Sequence, residues 1–146
     1  MSGFNRILVP VDGSEISNKA LVAALEMARL AGGKVMLVHS LDELAYAMDY
    51  TYSRPMIDAA RETAGKVLEQ ATAIALSSGI PTESKLVELP AQRLGDVIAK
   101  EAAAWNADLV VVGTHGRRGV GRALLGSGAE QIIRSATVPV LVVRGA

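Results

Sequence analysis

Five short, nearly uniform apolar runs separated by longer stretches of helical period constrain this chain more than any other feature. RILVPVD (Arg6–Asp12), KVMLVHS (Lys34–Ser40), ESKLVEL (Glu83–Leu89), DLVVVG (Asp108–Gly113) and VPVLVVR (Val138–Arg144) read as strands, and several lack the polar alternation of a sheet with one wet face. Such a sheet needs cover on both sides. The intervening segments supply it: Leu94, Val97, Ile98, Ala102 and Trp105 recur at i, i+3, i+4, i+8 and i+11, one stripe along a helix. AGGK (Ala31–Lys34) and SGIP (Ser78–Pro81) hold glycines suited to a left-handed cap, which predicts helix ends near Leu30 and Ser78. The order β-α-β-α-β-α-β-α-β calls for a mostly parallel α/β sheet with right-handed crossovers. In such a sheet, ligands sit at the carboxyl ends of the strands where strand order reverses. The 146 residues, 1–146, form one domain, long enough to bury about two thirds of the unfolded surface without staples.

Composition removes several function classes. Fifteen Lys and Arg balance fifteen Asp and Glu, and aromatic residues make up 3% of the chain, so neither a long electrostatic track nor stacking platforms exist for nucleic acid. Any anion site must be local. The absence of cysteine excludes disulfides, thiol catalysis and zinc–thiolate sites, and fits a reducing compartment. No run approaches the roughly 18–20 apolar residues of a membrane span, and MSGFNRILVPVDG lacks a charged leader followed by an apolar stretch. The reading is a soluble, cytoplasmic protein. LDELAYAMDYTYSRP (Leu41–Pro55) holds all three tyrosines without a sustained period, and could serve as a lid, a partner surface or a long connection.

The chemistry concentrates in GTHGRRGVGRALLGSGAE (Gly113–Glu130), which directly follows the fourth strand and places six glycines in eighteen residues. Glycine costs about 0.5–1 kcal/mol relative to alanine inside regular structure, so the cluster marks a turn or a close approach. It is not a P-loop, because GRALLGS (Gly121–Ser127) has the glycine spacing without the lysine. It is not a dinucleotide fingerprint either, because GVGRAL and GSGAEQ both lack the third glycine. SGAE (Ser127–Glu130) has capping-box spacing, with Ser127 as N-cap and Glu130 reaching back, and a helix N-terminus there would favour phosphate. Gly126 and Gly128 would admit a ligand closely, while His115, Arg117, Arg118 and Arg122 add local positive charge. Asp12, beside Gly13 and Ser14, either caps the next helix or meets a ligand. His39 closes a buried strand and reads as structural. Thr114 and Ser127 are the loop's plausible hydroxyl nucleophiles, neither with an evident His–Asp relay.

The spacing Gly113-x-x-Gly116, nine residues, Gly126-Ser127 resembles the G-2x-G-9x-G-[ST] pattern of the ATP-binding branch of the universal stress protein family. The likeness continues in ILVPVDGSE, VMLVHS, DLVVVGTHGRRG and SATVPVLVVR, and so covers nearly the whole chain. This resemblance implies a Rossmann-like five-stranded parallel sheet in 3-2-1-4-5 order with helices on both faces, a homodimer, and ATP (or ADP or AMP) bound rather than rapidly turned over. It places Gly113, His115, Gly116, Gly126, Ser127 and Gly128 around the ribose and phosphates, and Pro10, Val11 and Asp12 beside the base and sugar. Ser40 would meet the adenine edge through its backbone, where relatives often carry an aliphatic residue. In the implied order Val138–Val143 lies at the sheet edge, where Pro139 is tolerated and no later helix covers the strand, so antiparallel pairing with a second copy would complete it. The expected function is an ATP-binding stress-response or signalling module with a protein partner still to be found. One alternative is a slow ATPase or self-phosphorylating protein with Mg2+ bridging phosphates near Asp12. Another is a nucleotide-independent dimer that recognises proteins through Leu41–Arg54.

Overall fold

Strands and helices alternate strictly along the chain. The computed structural model describes residues 3–41, 54–88, 92–115 and 125–145. Its elements are β1 (Arg6–Pro10), α1 (Glu15–Ala31), β2 (Lys34–Ser40), α2 (Arg54–Ser78), β3 (Thr82–Val87), α3 (Leu94–Trp105), β4 (Leu109–Gly113), α4 (Ser127–Ser135) and β5 (Val140–Val143). All neighbouring strands pair in parallel, in the order β3-β2-β1-β4-β5, as expected. The 41–54 segment falls outside the described residues except at its ends, Leu41 and Arg54, so its expected role as a lid or partner surface does too.

Alternate residues of β1, β2 and β4 feed opposite cores. Ile7, Val9, Val35, Leu37, Leu109 and Val111 pack against Leu21, Ala24, Leu25 and Ala28 of α1 and Ala71 and Ala75 of α2. Leu8, Val38, Val110 and Val112 face the other way, onto Val97, Ile98 and Ala102 of α3 and Ala129 and Ile132 of α4. The stripe read from the sequence is thus the buried face of α3. Each large aliphatic side chain fully buried in this way contributes about 1.5–3 kcal/mol, which is what holds helices to both faces of the sheet. At the amino ends of the strands, the Asp108 carboxylate accepts from the Asn5 and Arg6 amides at 2.9 and 3.0 Å, and the Arg6 guanidinium lies 4.2 Å over the Trp105 ring. These contacts fix β1 against β4.

Element ends depart from expectation where backbone chemistry intervenes. β1 stops at Pro10 rather than Asp12, although the Val11 amide still donates to the Val38 carbonyl at 2.8 Å. β3 starts one residue early and stops at Val87, while Leu89 is outside the described residues. β5 begins at Val140, after Pro139, which has no N–H to donate. α1 runs to Ala31 and closes on Gly32, whose φ of 68° only glycine adopts readily; α2 ends at Ser78 as predicted, with Gly79 at φ 76°. The expected capping box at α4 is not formed. Gly126 is the N-cap, Ser127 is the first helical residue, and Glu130 pairs with Arg134 at 2.8 Å. The Glu130 amide donates to the Gly126 carbonyl at 3.0 Å, and that first helical bond moves the cap one residue earlier.

Candidate functional site

β1 and β4 are adjacent in the sheet, yet the chain leaves β1 toward β2 on one side and β4 toward β5 on the other. This is the switch point at which parallel α/β sheets open a crevice. A cleft open to solvent occupies it. Pro10, Val11 and Asp12 line it from the end of β1, Val38 and Ser40 from β2, and Val112, Gly113 and His115 from β4. Ser17, Leu94, Gly128, Ala129 and Ile132 close it from the helices.

Most of the residues singled out in the sequence therefore meet here: Pro10, Val11, Asp12, Ser40, Gly113, His115 and Gly128. Gly126 and Ser127 do not line the cleft but form the start of α4 beside it. Gly116, with Arg117, Arg118 and Arg122, lies outside the described residues. Sequence reasoning missed Ser17, Val38, Leu94, Val112, Ala129 and Ile132. Leu94 was legible as the first residue of the α3 stripe, whereas Ser17 had a signal only in the serine-rich start of α1.

The β1 wall is built by short-range hydrogen bonds. The Ser14 amide donates to Asp12 Oδ1 at 2.9 Å, the Asp12 amide donates to Ser17 Oγ at 3.1 Å, and the Ser17 amide donates to Ser14 Oγ at 3.1 Å. Asp12 thus organises the turn into α1 while also facing the cleft, so the two readings of this residue are compatible. His39 Nδ1 lies 2.7 Å from the Val11 carbonyl. A carbonyl can only accept, so the ring donates from Nδ1 and ties the end of β2 to this wall. That is the structural role expected of His39.

The β4 wall explains the glycines. A Cβ on Gly113 would collide with the Ile16 side chain and lie 3.2 Å from the Ile16 carbonyl oxygen, so the missing side chain lets the first turn of α1 close on β4. At Gly126 a Cβ would stand 2.9 Å from the Thr114 carbonyl oxygen, which also accepts the Gly126 N–H. At Gly128 it would stand 3.0 Å from Leu94 Cδ2. What comes close at these positions is the protein's own chain. The amides of Ser127, Gly128 and Ala129, in the first turn of α4, have no intrahelical acceptor. His115 Nδ1 lies 3.1 Å from Thr114 Oγ1, while its buried Nε2 has no hydrogen-bond partner among the described residues. Thr114 itself is 4% exposed, which removes it as an open nucleophile.

The cleft therefore joins an apolar floor (Val38, Leu94, Val112, Ile132) to donors at the start of α4, an arrangement that accommodates a flat apolar group and an anion together. Among the described residues Asp12 is the one carboxylate lining it, and no group of three His, Cys, Asp or Glu could hold a metal ion. Among the same residues no helix is long and apolar enough to cross a membrane.

The profile of the universal stress protein family matches residues 3–144 of the chain. A universal stress protein of Thermus aquaticus is 31% identical over 141 residues, which cover 97% of this chain and 99% of that one. Among solved structures, a universal stress protein family member from Burkholderia pseudomallei superposes with a TM-score of 0.76 at 31% identity, covering 95% of each chain. The universal stress protein from Archaeoglobus fulgidus in complex with dAMP superposes with a TM-score of 0.70 at 26% identity, covering 98% of this chain and 99% of its own.

Proposed function

The chain belongs to the universal stress protein family, and from that premise we propose that its cleft binds an adenine nucleotide, ATP foremost, as a cytoplasmic stress-response module whose nucleotide state is its signal. The observation that carries this reading is convergence. Pro10, Val11, Asp12, Ser40, Gly113, His115 and Gly128 come from three separate stretches of sequence and line one cleft, and the Archaeoglobus fulgidus relative was solved with dAMP.

In this reading Pro10, Val11 and Asp12 lie beside base and sugar, and the Ser40 backbone meets the adenine edge. Gly113, His115, Gly116, Gly126, Ser127 and Gly128 surround the ribose and phosphates. The Gly126 N–H is already engaged by Thr114, so the phosphates take the amides that follow it, where the helix end carries about half a positive charge. Mg2+ characteristically binds through one or two carboxylates together with substrate phosphates, and among the described residues of the cleft Asp12 fits that pattern. When bound, the ion supplies charge neutralisation of the phosphates.

A dimer through β5 accompanies this function. β5 is an edge strand, and its Leu141 is 39% exposed, an apolar side chain on an unpaired edge that a second copy would cover.

Mass spectrometry of nucleotide released from the purified protein, followed by calorimetric titration with ATP, ADP and AMP, tests the binding function. Micromolar dissociation constants, on the order of −8 kcal/mol, are expected. No released nucleotide and no heat with any of the three would refute it.

A further inference from the structure

We propose that Thr114 is a positioning residue that fixes His115 in the tautomer carrying its proton on Nε2, so that the ring offers an N–H donor to an anionic oxygen in the cleft. The inference rests on the nucleotide-binding reading for its ligand, but its first test does not.

Thr114 is 4% exposed, and its other polar atoms are engaged: its amide donates to the Val143 carbonyl at 2.9 Å and its carbonyl accepts from Gly126. Only the hydroxyl remains, and among the described residues its one partner is His115 Nδ1 at 3.1 Å. Two assignments satisfy that distance. If Nδ1 carries the proton and donates to Oγ1, the hydroxyl hydrogen has no acceptor and Nε2 is a buried lone pair with no donor. If the hydroxyl donates to Nδ1, the hydroxyl hydrogen and Nδ1 are both satisfied, and of this pair only Nε2–H is left without a partner among the described residues. Buried polar groups are paired with few exceptions, so the second assignment holds.

The remaining exception points to a ligand. Nε2–H can only donate, and it is bonded to Cδ2, the ring atom nearest Gly126, the cap of α4. His115 thus joins the α4 first-turn amides, which lack an intrahelical acceptor, as a set made only of donors, which suits a phosphate oxygen and not a hydroxyl donor or a cation. The other histidine shows the contrast within the same chain. His39 faces the Val11 carbonyl and must carry its proton on Nδ1.

Long-range proton–nitrogen correlation spectra of the unliganded protein at alkaline pH identify the protonated nitrogen of each ring, with His115→Gln supplying the assignment. One Nδ1–H ring, His39, and one Nε2–H ring, His115, are expected. An Nδ1–H pattern at His115 overturns the proposal whether or not nucleotide binds. Thr114→Val, which keeps the shape and removes the hydroxyl, should reduce the affinity for ADP relative to adenosine by roughly tenfold, the scale of one hydrogen bond to a charged group, and Thr114→Ser should restore it. An unchanged ADP-to-adenosine ratio in Thr114→Val overturns the positioning role. If neither compound binds the unmodified protein, the nucleotide-binding function fails by itself, while the tautomer spectrum still decides the assignment at His115.

Discussion

Gly126→Ala tests whether the close approach at the start of α4 shapes the anion end of the cleft. Gly126 has φ −73° and ψ 162°, angles open to any residue, so alanine meets no backbone penalty there. Its methyl would nevertheless stand 2.9 Å from the Thr114 carbonyl oxygen and 3.3 Å from His115 Cα. Both are backbone atoms and cannot rotate aside. The two ends of the loop must separate, which also stretches the bond from the Gly126 amide to the same Thr114 oxygen. Overpacking costs about 1–3 kcal/mol and the weakened hydrogen bond about 0.5–1.5 kcal/mol, while the stiffer unfolded chain offsets about 0.4–1 kcal/mol, leaving a net loss of about 2 kcal/mol. The displacement moves His115 and the first amides of α4, so nucleotide affinity should fall by about tenfold or more, equivalent to at least ~1.4 kcal/mol. Urea denaturation reads the first effect and calorimetric titration the second. A variant as stable as the parent, with unchanged affinity for ADP, would refute the argument that this glycine is required by its neighbours.

Gly65 supplies the opposite sign: it lies within α2, where an added Cβ meets nothing within 4 Å, so Gly65→Ala should raise stability by about 1 kcal/mol, and a lower urea midpoint would contradict this. Leu141→Asp should convert the β5-linked dimer to a monomer in light scattering at tens of micromolar protein, roughly the working range for such a contact; a monomeric unmodified protein rejects the dimer. Leu141 is a cleaner site than Val140 or Val142, which pack against the α3–α4 core, where a carboxylate would disturb folding as well as assembly. Phosphate release from ATP should stay well below the roughly 1–100 s−1 of kinases, because no lysine stands at the phosphate-loop position in GRALLGS. Release at several per second, abolished by Asp12→Asn, would instead establish an ATPase.

The elements were legible because they follow from short-range rules. A doubly covered strand reads as an unbroken apolar run, and β2 occupies Lys34–Ser40 as that run predicts. Gly79 sits at φ 76° just after Ser78, where SGIP announced a helix end. The family resemblance supplied the strand order and implied a ligand at the ends of β1, β2 and β4, in agreement with the switch-point rule. The reasons for the glycines were not legible. Gly113 is needed because Ile16, far away in sequence, packs on it, and Gly126 because Thr114 approaches it across the loop. The cap of α4 moved from Ser127 to Gly126, a difference of one helical bond that sequence spacing alone does not fix. Ser17, Val38 and Ile132 entered the site through the packing of their elements. The pairing of Thr114 with His115, and the unpaired Nε2 it leaves, likewise depends on which atoms the fold withdraws from water. Period and turn chemistry act between residues a few positions apart, so the chain itself records them. Which missing side chain makes room, and which buried nitrogen lacks a partner, depends on atoms brought together only when β1, β4, α1 and α4 converge.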